Sequence, residues 1–102
     1  TYGIAIPCYG HAGDGNLHAT LVKDPAMSME AWKAAEGKAL EELYAATKRL
    51  GGVISGEHGI GLKRKRYLAE FMDPVERGLI KAVKKAWDPN LVMNPGKIFD
   101  LE

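Results

Sequence analysis

The sequence predicts an α+β fold: an antiparallel hairpin packed with two to three helices. Three observations carry that expectation. Apolar residues alternate over 2–9 and again over 16–22, the period of strands. The Asp14-Gly15 pair lies between those runs, where a tight turn needs positive φ. Apolar spacing then turns helical over 28–50 and again over 73–87.

Each element has its own signals. In the first run Tyr2, Ile4, Ile6 and Cys8 share a face, and Pro7 makes the strand an edge or breaks it. In the second, Leu17, Ala19 and Leu21 take one face, and Asn16, His18, Thr20 and Val22 the other. Lys23-Asp24-Pro25 ends the strand, and Ser28 is placed to cap a helix. Trp32, Ala35, Ala39, Leu43, Ala46 and Leu50 form its apolar stripe, and Gly51-Gly52 stops it. At ~1.5 Å per residue this longest element spans about 33 Å. Residues 53–55 read as a short extended piece, and 62–71 as weakly helical with the basic run Lys63-Arg64-Lys65-Arg66. Asp73-Pro74-Val75-Glu76 is a helix start, with Asp as cap and Pro at the first position. Val75, Leu79, Val83, Ala86 and Trp87 follow as an apolar stripe expected in the core, until Asp88-Pro89-Asn90 stops the helix.

A length of 102 residues predicts one domain, 1–102. With 46% apolar and 26% charged residues the composition is that of a globular protein. A net charge of +1 gives no field for nucleic acid or an anionic membrane. The apolar runs fall far short of the ~20 residues that span a bilayer. The single cysteine, Cys8, excludes an internal disulfide, reads as a small apolar filler and fits a reducing compartment, so the cytoplasm is expected. The chain opens on Thr1 and enters a strand-like run at once. A piece of a longer polypeptide is expected, with a processed start as the alternative. Two strands alone make a marginal sheet, a second reason to expect a fragment. Its exposed strand edge predicts self-association.

The chemistry concentrates in two glycine-rich stretches that hold all three histidines: His11-Ala12-Gly13-Asp14-Gly15-Asn16-Leu17-His18 and Ser55-Gly56-Glu57-His58-Gly59-Ile60-Gly61. If the first turn folds back, His11 and His18 can face one site, and Glu57 could add an oxygen. Two imidazoles and a carboxylate suit Zn²⁺, Mn²⁺ or Fe²⁺. An exposed hairpin tip would carry the same residues without a metal. His58 suits proton transfer near neutral pH, or is a loop histidine bonded to a backbone carbonyl. The basic run 63–66 could attract a carboxylate or phosphate, or be a solvated face.

The motifs HAGDGNLH, SGEHGIGLKRKRYL and MNPGKIF, in that order over residues 11–99, resemble the C-terminal end of FAD-linked 2-hydroxy-acid dehydrogenases. That family includes the FAD-binding subunit of glycolate oxidase, D-lactate dehydrogenases and D-2-hydroxyglutarate dehydrogenase. The resemblance implies a C-terminal piece of a larger cap, or substrate, domain of a flavoenzyme. It implies that His11, His18 and Glu57 bind a divalent metal, and that His58 takes the proton of the substrate hydroxyl. Thr20 stands where some members use Asn against substrate, which favours the glycolate and lactate branch. Asn94 becomes a flavin-side contact. FAD itself would be held by an N-terminal domain outside this chain, so the chain alone is expected to be inactive. As electron acceptor an iron–sulfur subunit, a quinone, a cytochrome and oxygen all stay open, and so does membrane association through such partners. The alternatives to an enzyme fragment are an autonomous metal-binding module and a structural or interaction module without redox activity.

Overall fold

The computed structural model describes residues 1–101, which form two compact units, Thr1–Gly52 and the part from Val53 onward. In the first unit β1 (Cys8–His11) and β2 (Asn16–Ala19) pair antiparallel, and α1 (Met29–Arg49) follows. The second unit holds α2 (Leu68–Phe71) and α3 (Pro74–Trp87) and ends in an irregular tail. Hairpin and helices together are the α+β arrangement expected of a fragment of a larger domain.

The hairpin register sets Cys8 opposite Ala19, Tyr9 opposite His18, Gly10 opposite Leu17 and His11 opposite Asn16. The strands are shorter than the alternation suggested. Pro7 has no N–H to give, and the pairing beyond it survives only as a bridge between Ala5 and Val22. The turn is not the two-residue type the Asp14-Gly15 pair suggested. Ala12–Asp14 make one 3₁₀ turn, and Gly15 closes it in the left-handed region at φ 65°. Gly10 is dictated by close approach: a Cβ there would lie 2.0 Å from the Asn16 carbonyl oxygen. Gly10→Ala must therefore move backbone. It is expected to cost about 1–3 kcal/mol, enough to open a marginal hairpin. Loss of the cross-strand NOEs between Tyr9 and His18 checks this.

Helix α1 starts where the sequence places it: the Ser28 hydroxyl accepts from the Ala31 N–H at 3.1 Å. It ends before Gly51, which takes φ 76°. Ala39 is buried, while Trp32, Ala35, Leu43 and Ala46 are half-buried. The Tyr2 hydroxyl donates to Glu42, fastening the start of the chain to α1. Cys8 is exposed rather than a filler.

In the second unit a 3₁₀ turn, Lys65–Tyr67, runs into α2, and Tyr67 and Leu68 are its buried apolar residues. Helix α3 begins on Asp73, whose carboxylate accepts from the Val75 N–H at 2.7 Å. Its apolar stripe corrects an expectation. Val75, Leu79, Val83 and Trp87 are all exposed, Trp87 by 80%. Periodicity places these residues on one helix face, but another element must cover that face to make it core.

Asp88, 5% exposed, is the hub of this unit. Its carboxylate accepts from Lys84 Nζ at 2.5 Å and from the Val92 and Met93 N–H groups at 2.9 Å each. The tail is thereby tied to the end of α3. The Lys84 hydrogen bond, aided by the two amides and opposed by burial, holds the Asp88 carboxyl below its ordinary value. A depressed carboxyl contributes stability above its unfolded pKa, ~3.9, and loses it as pH falls through the lower folded value. The Tm of the second unit should therefore drop in acid below the ordinary carboxylate range. In Asp88→Asn that acid-side slope should flatten, and the Tm near pH 7 should fall by about 5 °C or more for the lost charge-assisted hydrogen bond. Thermal scans from pH 2 to 7 check both.

Candidate active site

The hairpin sorts its side chains by register. Cross-strand partners share a face and alternate residues return to it, so Tyr9, His11, Asn16, His18 and Thr20 lie on one face. His11 and His18 are diagonal neighbours on that face, a spacing of roughly 7–8 Å between backbones that two imidazoles can bridge to one ion. The Tyr9 ring stacks on His18 at 5.2 Å between centroids and 19° between planes. The Tyr9 hydroxyl lies 3.5 Å from Thr20 Oγ1. Tyr9 is thus a member of this face that motif reading missed. The signal was present in the sequence, two residues before His11 in an alternating strand.

The second unit carries Glu57 and His58. His58 Nε2 lies 3.5 Å from Glu57 Oε1. That is beyond ordinary hydrogen-bond length and within reach of a charge interaction when the imidazole is protonated. The loop is shaped by Gly59 and Gly61, at φ 73° and 57°. Arg64 donates to the Gly59 carbonyl at 3.0 Å. The Gly61 carbonyl accepts from the Ile98 N–H at 2.7 Å, and the Gly96 carbonyl from Lys65 Nζ at 3.1 Å. The second and third sequence motifs are therefore joined by hydrogen bonds. Asn94 is exposed at φ 48°, a conformation its short amide tolerates.

The structure thus gathers His11, His18 and Thr20 within the first unit and Glu57 and His58 within the second. Two imidazoles on one hairpin face are donors suited to a first-row divalent cation. The exposed Asn94 amide is a group that can donate to or accept from a ring cofactor. Among the described residues no helix is long and apolar enough to cross a membrane.

Comparison with known proteins gives the context. A family model described as FAD linked oxidases, C-terminal domain, matches residues 1–98. A D-lactate dehydrogenase of Anaerostipes hadrus is 42% identical over 93 residues, which are 91% of this chain and 19% of that protein. A D-2-hydroxyglutarate dehydrogenase of Xanthomonas citri pv. viticola is 42% identical over 92 residues, 90% of this chain and 20% of the relative. Glycolate oxidase subunit GlcD of Bacillus subtilis is 40% identical over 98 residues, 96% of this chain and 20% of its own. The chain spans about a fifth of the length of these relatives. The match runs from the hairpin through the Glu57-His58 loop to the Asn94 tail, and the chain belongs to the family of FAD linked oxidases, C-terminal domain.

Proposed function

We propose that residues 1–102 act as one C-terminal domain of an FAD-dependent 2-hydroxy-acid dehydrogenase of the glycolate or D-lactate type. The observation that carries this is the family match over residues 1–98, with both histidine-bearing stretches inside it. His11, His18 and Glu57 would hold a divalent cation, which when bound supplies Lewis-acid polarisation of a substrate oxygen. Bound FAD, held mainly by an N-terminal domain of the same polypeptide, supplies the redox chemistry.

The chain's own part is orientation and the proton. Thr20, on the His11 and His18 face, bounds the substrate. His58 accepts the hydroxyl proton as the 2-carbon gives up its hydride, and a 2-oxo acid remains. Imidazole is the side chain best suited to moving a proton near neutral pH. Asn94 meets the flavin side. The whole polypeptide sets the electron acceptor, an iron–sulfur subunit being one of the open candidates, and the compartment proposed is the cytoplasm.

A chimera tests this. The matching segment of the Anaerostipes hadrus D-lactate dehydrogenase is replaced by this chain, and D-lactate-dependent dye reduction is measured. The chimera should turn over, whereas the 102-residue chain alone should show no flavin spectrum and no dye reduction. Flavin retained by the isolated chain would contradict the division of labour.

A further inference from the structure

A second candidate site lies wholly in the second unit and takes no part in the function proposed above. The segment 62–69, one face of α3 and the end of the tail enclose a cleft of about 630 Å³. That volume is within the range of small-molecule sites, roughly 300–1,000 Å³. Six cations line it: Lys63, Lys65, Arg66, Arg77, Lys81 and Lys85. Among the described residues the one acidic member of the lining is Asp100. Six of the chain's 14 lysines and arginines thus line one cleft.

Arg77, Lys81 and Lys85 stand at successive i, i+4 positions of α3, where like charges repel. An anion between them would offset that repulsion. Some of the cations are already engaged. Lys65 pairs with Asp100 and the Gly96 carbonyl, and Arg66 donates to the Tyr67 hydroxyl. Lys81 lies 5.7 Å from the centre of the Phe99 ring. Arg77 is half-buried, and its enclosed Nε finds no acceptor among the described residues. Donor capacity therefore remains at Arg77 and Lys81, with Lys63 at the rim. Leu68, Ile98 and Phe99 add apolar surface, and the volume far exceeds one inorganic anion.

We propose that this cleft binds a small phosphate ester with a ring-bearing body, the chemistry of a nucleotide. The Arg77 fork matches phosphate oxygens, and lysines act on them as point charges. The apolar wall takes the body.

Calorimetric titration of the whole chain with adenosine triphosphate, pyrophosphate and adenosine tests it. Adenosine triphosphate should bind saturably at one site, pyrophosphate more weakly, and adenosine not measurably. Arg77→Gln and Lys81→Gln should each weaken adenosine triphosphate binding by about tenfold or more. Lys33→Gln and Lys38→Gln, made singly on α1 and each the same charge change, should leave it unchanged. Circular dichroism of each variant confirms that helices persist, and Lys81→Gln alone suffices if Arg77→Gln unfolds. No saturable binding, binding insensitive to Lys81→Gln, or equal loss in the α1 control would overturn the proposal.

Discussion

His58→Ala in the D-lactate dehydrogenase chimera is expected to lower kcat by about 10²–10⁴-fold, the usual share of a positioned proton acceptor. FAD content should stay at the level of the unsubstituted chimera, because His58 is assigned to substrate. KM should change little, since His58 acts as the barrier is crossed rather than in holding the carboxylate. His58→Gln, which keeps hydrogen bonding but cannot take the proton, should be as inactive as His58→Ala. Activity of His58→Gln close to the unsubstituted level would assign His58 to substrate binding alone.

The second large effect concerns the metal. His11→Ala, His18→Ala and Glu57→Gln should each lower the bound divalent cation per chimera, read by elemental analysis after dialysis. Each should weaken affinity by more than the roughly 10–100-fold that follows loss of an outer hydrogen-bond partner. Residues that share one ion are not additive, so the double variant His18→Ala/Glu57→Gln should lose little more activity than either single change. Additive losses would mean that the two stretches act separately. Asp14→Ala, in the hairpin turn, serves as the comparison that should retain metal.

The roles tested in both experiments come from the motifs' resemblance to a known family, whereas what spacing alone makes legible is local. Ser28 and Asp73 announce the starts of α1 and α3 because a cap is satisfied within three residues of itself. His11, His18 and Thr20 share a hairpin face because alternation and pairing register leave no other arrangement. The Asp88 network was half hidden: its bond from Lys84 is an i, i+4 pair, whereas those from the Val92 and Met93 N–H groups depend on where the tail returns. The outward face of α3 was hidden too. Periodicity fixes that Val75, Leu79, Val83 and Trp87 lie together, and only a partner surface could decide whether they are covered. The tail's path was equally illegible, since the bond from Ile98 to the Gly61 carbonyl joins segments 37 positions apart. Ile98 is held at φ 67°, a conformation sequence propensity argues against for a β-branched residue.

Anaerobic mixing of the FAD-loaded chimera with D-lactate, followed at the flavin absorbance band, tests the central claim most directly. It isolates the half-reaction from any electron acceptor. If this chain supplies the substrate side of a flavoenzyme, the band bleaches in a single turnover, and His58→Ala slows the bleaching by about 10²-fold or more. A chimera that holds FAD and metal at full stoichiometry but never bleaches with D-lactate, glycolate or D-2-hydroxyglutarate would contradict it.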